Sequence, residues 1–140
     1  MTQPVHGTVV ALYIKGQWRG VLIRGQSGTG KSDLALRLMS LGAQLVVDDQ
    51  AIVWNSQDRL YASSPMTIAG KIEVRGLGII ACPYLPMARI WLVVDAIEDP
   101  PERYPEPLFV TLCGVAVPTL FVQLKYASAA QVVASAIESL

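Results

Sequence analysis

Eight residues near the start of the chain constrain its fold most, because they match the phosphate-binding loop pattern G-x-x-x-x-G-K-[ST] at every fixed position. They are Gly25-Gln26-Ser27-Gly28-Thr29-Gly30-Lys31-Ser32. A short apolar run, 21–24, precedes them, and 33–41 follows with its apolar residues spaced for one face of a helix. Strand, glycine-rich loop and helix therefore occur in the order that a phosphate-binding loop (P-loop) requires.

The residue types in this loop have chemical reasons to be there. Glycines let the backbone turn its N–H groups toward phosphate oxygens, and the helix N-terminus adds a dipole that favours negative charge. Lys31 would reach the β and γ phosphates of a nucleotide, and the Ser32 hydroxyl would coordinate Mg²⁺. The loop therefore predicts a nucleoside triphosphate and Mg²⁺ as ligands.

Length and composition indicate one packed domain. The chain has 140 residues, of which 52% are apolar and 16% charged, so it can bury a sizeable core. The formal net charge is zero, which argues against a nucleic-acid partner held by bulk charge. No apolar run reaches the ~18 residues of a membrane span, and the first residues lack the pattern of a signal peptide. We expect a cytoplasmic protein without a membrane partner, with Cys82 and Cys113 as reduced thiols in the core.

Extended segments dominate the rest of the chain. They are expected over 7–14, 18–24, 44–47, 51–54, 60–62, 88–95, 108–112 and 115–124. The segment 72–80 has glycines beside charged residues and is expected to form a shaped loop, and 99–107 is too rich in proline to be regular. Ser128 is expected to cap a last helix whose apolar face includes 129, 133, 136, 137 and 140. This pattern predicts an α/β fold with a mixed β-sheet around the central P-loop helix.

Two common classes of P-loop protein are not supported. A GTPase reads guanine with Asn-Lys-x-Asp, but the one asparagine of the chain, Asn55, is followed by Ser-Gln-Asp. A nucleoside monophosphate kinase needs arginines clustered on a lid, and the arginines here are scattered. The sequence therefore points to a different kind of P-loop protein.

Four stretches together resemble one family. They are His6-Gly7, the loop 25–32, Val47-Asp48-Asp49 and Ile72-Glu73-Val74-Arg75-Gly76-Leu77-Gly78-Ile79-Ile80. The chain resembles the catalytic domain of the HPr kinase/phosphorylase family, bacterial serine kinases that phosphorylate the phosphocarrier protein HPr. The E-x-R-G-L-G-I-I stretch is the most specific match, and the resemblance extends from His6 to about Val122. It implies the fold type of HPr kinase and phosphoenolpyruvate carboxykinase.

The resemblance implies roles for individual residues. The implied catalytic residues are His6, Lys31, Asp49 and Arg103, and the implied metal ligands are Ser32, Asp48 and Glu73. Asp49 matches the family's proton acceptor, and a carboxylate beside the metal can orient a serine hydroxyl and take its proton. Arg103 is the weakest match, because the segment around it differs from the family pattern.

The resemblance implies an ATP- and Mg²⁺-dependent kinase of HPr in a family that forms hexamers. The sequence departs from that family in two ways. Residues 1–140 are interpreted as the catalytic domain alone, without the N-terminal regulatory domain of longer members. The basic loop that longer members carry before their last helices is replaced by 122–128, so weak phosphorylase activity is expected. Two alternatives stay open, namely a kinase of another protein or small molecule, and a nucleotide-binding sensor that does not catalyse.

Overall fold

Two long strands at the start of the chain form an antiparallel hairpin from which the sheet extends. In the computed structural model, which describes residues 1–140, β1 (Thr2–Ile14) pairs with β2 (Gln17–Arg24) from Gly7↔Arg24 to Ile14↔Gln17. Lys15 and Gly16 form the turn with φ values of 52° and 80°, the left-handed conformation that a two-residue hairpin turn needs. The predicted hairpin is confirmed, and its first strand begins earlier than expected.

The remaining elements are mostly strands, which lie between two α-helices in the chain. They are α1 (Lys31–Ser40), β3 (Gln44–Val47), β4 (Gln50–Ser56), β5 (Arg59–Ser63), a 3₁₀ turn (Met66–Ile68), β6 (Lys71–Val74), β7 (Gly78–Ala81), β8 (Met87–Ala96), β9 (Leu108–Leu112), β10 (Val115–Val122) and α2 (Ala129–Glu138). The main sheet has the order β2-β1-β4-β5-β8-β10-β9, with β3 also beside β1 and β2 also beside β8. The pairs β2–β8 and β8–β10 are parallel and the others antiparallel, which confirms the predicted mixed sheet.

Three strands end together at one edge of the sheet. β2, β8 and β10 run parallel, and the register aligns Arg24 with Asp95 and Val122 with Ala96. The segments that follow β2 and β10 therefore start at the same end of the sheet, on either side of β8, where α/β proteins bind ligands.

Two groups of buried side chains form the core. The first lies between the sheet and both helices and includes Val10, Leu34, Leu38, Leu92, Val133 and Ile137. The second is made by strand residues and includes Val9, Leu22, Val53, Ala62 and Val93. Consecutive residues such as Val9 and Val10 are both fully buried, one in each group, because both faces of this part of β1 are covered.

Arg19 attaches α2 to the sheet. Its side chain is buried, and its Nη1 donates to the carbonyl oxygens of Ile137 at 3.2 Å and Leu140 at 2.8 Å. The guanidinium carbon lies 4.3 Å from the centre of the Trp91 ring. A cation thus satisfies carbonyls at the C-terminal end of the helix, where the dipole favours positive charge.

The structure corrects some predictions. The segment 72–80 belongs to a hairpin, β6–β7, whose glycines at 76 and 78 have positive φ in and after the turn. Ser128 makes no side-chain cap: its backbone carbonyl accepts from the N–H of Val132. Residues 129, 133 and 137 of α2 are buried as expected, but Leu140 is exposed. The two cysteines are free thiols and only half-buried. Neither helix has the length and hydropathy of a membrane span.

Candidate functional site

The glycine-rich loop joins the end of β2 to the start of α1. Gly25 lies so close to its surroundings that a Cβ atom would be 2.7 Å from Thr29 Oγ1 and 2.9 Å from Ala96 Cβ. Gly30 precedes the helix with φ 100°, a conformation that strains other residues. Close approach and backbone conformation thus explain the first and last fixed glycines of the pattern.

The base of the loop is held by an ion pair between neighbouring parallel strands. Arg24 donates through Nε and Nη2 to the two carboxylate oxygens of Asp95, at 2.7 and 2.9 Å. The pKa of Arg24 is raised, chiefly by this side-chain hydrogen bond and against the effect of burial. Two parallel bonds of this kind fix the relative position of β2 and β8 directly below the loop.

Lys31 is buried at the mouth of the loop. Only 6% of the residue is exposed, and its Nζ donates to the carbonyl oxygens of Gly25 at 2.8 Å and Gln26 at 3.2 Å. The same ammonium lies 3.7 Å from Asp49 Oδ1. The cation is therefore placed between the loop backbone and the carboxylate that follows β3.

Asp48 is surrounded by hydrogen-bond donors. Its Oδ1 accepts from the hydroxyls of Ser32 at 2.6 Å and Thr8 at 2.9 Å, and its Oδ2 accepts from the backbone N–H of Glu73 at 3.0 Å. Its negative charge also contributes, after burial, to the raised pKa of the Cys82 thiol. Asp48 thus connects the start of α1, strand β1 and the hairpin β6–β7.

Asp49 makes a separate set of side-chain contacts. Its Oδ1 lies 2.6 Å from His6 Nε2, and both side chains are about half exposed, at 49% and 50%. Its backbone has φ 69°, unusual for a residue with a side chain. A carboxylate that is open to solvent and contacts an imidazole and an ammonium can accept a proton from a bound hydroxyl.

The loop, the two aspartates and the hairpin β6–β7 surround a cavity of about 870 Å³. Its charged and hydroxyl-bearing walls are formed by Ser27, Lys31, Ser32, Asp33, Asp48, Asp49, Thr67, Lys71, Glu73, Arg75 and Lys125. The volume lies in the range of ordinary ligand sites, which is about 300–1,000 Å³. The cavity can therefore hold a nucleotide with a second group beside it.

The structure brings together most of the sequence-predicted site residues, with Arg103 as the exception. Arg103 belongs to the irregular segment after β8, where its guanidinium carbon lies 5.7 Å from the centre of the Tyr104 ring. It is not among the residues that line the cavity. Its catalytic role stays a prediction that the geometry does not support.

Thr8, Lys71 and Lys125 contact the site or its aspartates but are absent from the sequence prediction. Thr8 lacks a signal in the sequence, because a threonine is an ordinary residue of a strand. Lys125 follows β10, and Arg37 of α1 bonds to the carbonyls on either side of it, those of Leu124 and Tyr126. The position of Lys125 at the cavity therefore depends on a contact between distant parts of the chain.

The oxygen atoms around Asp48 fit a magnesium ion that shares ligands with a nucleotide. The Ser32 hydroxyl and the Asp48 carboxylate are already in contact, and both are the hard oxygen ligands that Mg²⁺ prefers. No group of three or more His, Cys, Asp or Glu side chains converges in the structure. Since Mg²⁺ usually binds one or two carboxylates together with phosphates and water, Ser32, Asp48 and Glu73 would suffice with a nucleotide.

Comparison with known proteins identifies the family. Residues 1–85 match the family model of the HPr Serine kinase C-terminal domain. The chain belongs to this family. The solved structure of the HPr(Ser) kinase/phosphatase from Coxiella burnetii has a similar fold, with a TM-score of 0.77 and 27% sequence identity over 98% of this chain and 95% of that one. The mixed α/β fold of the HPr kinase domain is therefore shared over almost the whole chain.

Curated relatives of this HPr kinase domain are longer proteins. The HPr kinase/phosphorylase of Geobacillus thermodenitrificans is 43% identical over 112 residues, which cover 74% of this chain and 35% of the relative. That of Clostridium tetani is 44% identical over 81 residues, which cover 58% of this chain and 25% of the relative. The chain thus spans about a third or less of the curated relatives that it matches.

Proposed function

We propose that this domain is an ATP- and Mg²⁺-dependent protein serine kinase whose substrate is an HPr-like phosphocarrier protein. The observation that carries the proposal is the position of Asp49, which contacts both His6 and Lys31 at the edge of the P-loop cavity. One carboxylate is thus within reach of a bound hydroxyl and of the cation that would contact the transferring phosphate. Similarity to proteins named HPr kinase/phosphorylase supports the same reaction and the same partner.

Each residue has one task in the proposed reaction. The backbone N–H groups of 25–31 bind the β phosphate, and Lys31 leaves the carbonyls of Gly25 and Gln26 to contact the β and γ phosphates. Mg²⁺, held by Ser32, Asp48 and Glu73 when bound, supplies charge stabilisation of the phosphates.

Asp49 orients the serine hydroxyl and accepts its proton as the serine oxygen bonds to the γ phosphorus and the bond to the β-phosphate oxygen breaks. The products are phosphoserine and ADP. His6 stabilises the orientation of the Asp49 carboxylate through the 2.6 Å contact. Positioning and charge supply most of the catalysis, as is general for phosphoryl transfer.

The rim of the cavity favours a protein over a small molecule as substrate. Leu77 and Ile79 of the hairpin β6–β7 are 76% and 68% exposed, and Ile79 lines the cavity. Exposed apolar side chains next to a site are a common feature of surfaces that contact other proteins. We assign this rim to contact with the phosphocarrier, in the cytoplasm where ATP and the carrier meet.

Self-association is part of the proposal. Leu108 and Phe109 on β9 and Phe121 on β10 are 48%, 64% and 41% exposed on neighbouring strands. Since β9 is the last strand of the sheet, this apolar edge supports a homo-oligomer such as the hexamer that the resemblance implies.

Transfer of labelled phosphate from ATP to purified HPr tests the function directly. We expect Mg²⁺-dependent incorporation into HPr and none into an HPr variant in which the target serine is alanine. Nucleotide binding without incorporation would instead indicate a sensor. ATP consumption that does not require HPr, but requires another molecule from a fractionated extract, would indicate a different substrate.

A further inference from the structure

Thr8 is a polar residue in a fully buried stretch of β1. The residue has no exposed surface, and its neighbours Val9, Val10 and Ala11 are equally buried apolar residues. A hydroxyl at such a position is destabilising unless it is hydrogen-bonded. Its two hydrogen bonds both reach the aspartate pair: Oγ1 donates to Asp48 Oδ1 at 2.9 Å and accepts from the backbone N–H of Asp49 at 3.1 Å.

The bond to the Asp49 N–H stabilises an unfavourable backbone. At φ 69°, Asp49 has the left-handed conformation, which is uncommon for residues other than glycine, although aspartate and asparagine adopt it more often than most. Gly7 donates its N–H to the carbonyl of Asp49 at 3.0 Å, so β1 holds the peptide groups on both sides of this residue. In this left-handed turn between β3 and β4, the side chain of Asp49 contacts His6 and Lys31.

The bond to Asp48 fixes the other carboxylate. Oδ1 of Asp48 accepts from Thr8 and Ser32 together, while Oδ2 is occupied by the N–H of Glu73. Without the Thr8 hydroxyl, this carboxylate loses one of its three donors. It then has more freedom to rotate away from Ser32, its neighbour in the proposed magnesium site.

We infer that Thr8 is a positioning residue that couples the metal-binding Asp48 to the proton-accepting Asp49, so that one hydroxyl holds the carboxylate of Asp48 and the backbone of Asp49 in place for phosphoryl transfer. This inference rests on the proposed function. Thr8 itself contacts no substrate and acts through the two aspartates.

The test compares Thr8→Val, which keeps the shape and removes the hydroxyl, with Thr8→Ser, which keeps the hydroxyl. Thr119→Val is the matched control, because Thr119 Oγ1 is a buried strand hydroxyl without a hydrogen-bond partner. With HPr as substrate, we expect Thr8→Val to lower kcat by about 10–100-fold at little change in KM for HPr. Thr8→Ser should recover kcat to within a few-fold, and Thr119→Val should not change it.

A second readout does not depend on phosphate transfer. Isothermal titration with ATP, with and without Mg²⁺, gives the factor by which the metal strengthens nucleotide binding. We expect Thr8→Val to reduce this factor while the affinity for metal-free ATP stays within about two-fold, because Asp48 is disturbed and the P-loop is not. If the wild-type chain transfers no phosphate to HPr, the proposed function fails, but this measurement still decides the role of Thr8.

Two outcomes overturn the inference. One is a folded Thr8→Val protein with wild-type kcat and wild-type dependence on Mg²⁺. The other is a loss that Thr8→Ser shares in full, since shape and not the hydroxyl would then be responsible. If Thr8→Val does not fold, Thr8→Ala replaces it in the same comparison.

Discussion

His6 Nε2 lies 2.6 Å from Asp49 Oδ1, although 43 positions separate the two residues in the chain. The contact arises because the first part of β1 runs antiparallel to β4, with His6 opposite Gln50, the residue after Asp49. The same carboxylate oxygen lies 3.7 Å from Lys31 Nζ, at the start of α1. Strand pairing at the start of the chain therefore brings His6 and Asp49 together at the candidate site.

Asp49→Asn should abolish phosphate transfer to HPr and leave the affinity for Mg·ATP within a few-fold. The substitution removes the basicity of the group and preserves its shape. Turnover and nucleotide affinity are measured separately. Asp58→Asn is the control, because Asp58 also has positive φ and lies in a turn outside the P-loop cavity. Parallel losses of affinity and turnover would make Asp49 a metal ligand and remove its role as base.

Lys31→Ala should reduce kinase turnover by about two to three orders of magnitude, because in the proposed reaction it removes the cation that contacts the transferring phosphate. The domain should stay folded, since Lys31 bonds only to two loop carbonyls and contacts the half-exposed Asp49. Circular dichroism and thermal unfolding check the fold. Lys15→Ala, in the exposed β1–β2 turn, is the control. Wild-type turnover in a folded Lys31→Ala protein would show that this loop is not the catalytic one.

Arg19→Met should lower the free energy of unfolding by about 2–3 kcal/mol. Arg19 itself does not contact the candidate site. Methionine replaces the aliphatic part of the arginine side chain. It cannot make the two hydrogen bonds to the backbone oxygens of 137 and 140 or the cation–π contact with Trp91. Urea unfolding at equilibrium measures the change. Arg59→Met provides the comparison, because Arg59 is exposed and has no ion pair. Equal stabilities of the two variants would show that Arg19 does not hold α2.

The strand, glycine-rich loop and helix over 21–40 could be predicted from sequence because the loop conformation restricts which residues fit. Glycine at 25 is required by close packing, and glycine at 30 by positive φ, so the pattern and the structure coincide. Buried strands such as β3 and β8 were also predictable, since their apolar runs are short and end at polar residues. Local chemistry thus determines these parts of the fold.

Other features depend on contacts between distant segments. The hydroxyl of Thr8 serves Asp48 and Asp49 only because β1 lies beside β3, which single-strand periodicity does not reveal. The segment 72–80 has charged residues and glycines that are typical of loops, yet its glycines allow the turn of a hairpin. Ser128 precedes a helix as a cap would, but its side chain makes no hydrogen bond to the helix. Tertiary contacts decide these cases.

The reverse reaction needs more positive charge than the forward one. When phosphate attacks phosphoserine, the site must hold two anions side by side, and their repulsion requires nearby cations or backbone N–H groups. Apart from Lys31, the cavity offers Lys71, Arg75 and Lys125, none of which is in an ion pair. Four acids at the cavity oppose them: Asp33, Asp48, Asp49 and Glu73. The segment that follows β10 contributes a single lysine.

We therefore predict that phosphorolysis of phosphoserine-HPr is much slower than the kinase reaction. Incubation of phosphoserine-HPr with millimolar phosphate, followed by measurement of released pyrophosphate, gives the rate. The residual rate should fall further in Arg75→Met and Lys125→Gln than the kinase rate does, since these cations would offset the second anion. Lys15→Gln, remote from the cavity, should alter neither rate. Phosphorolysis as fast as the kinase reaction would show that a single lysine after β10 does not limit the reverse direction.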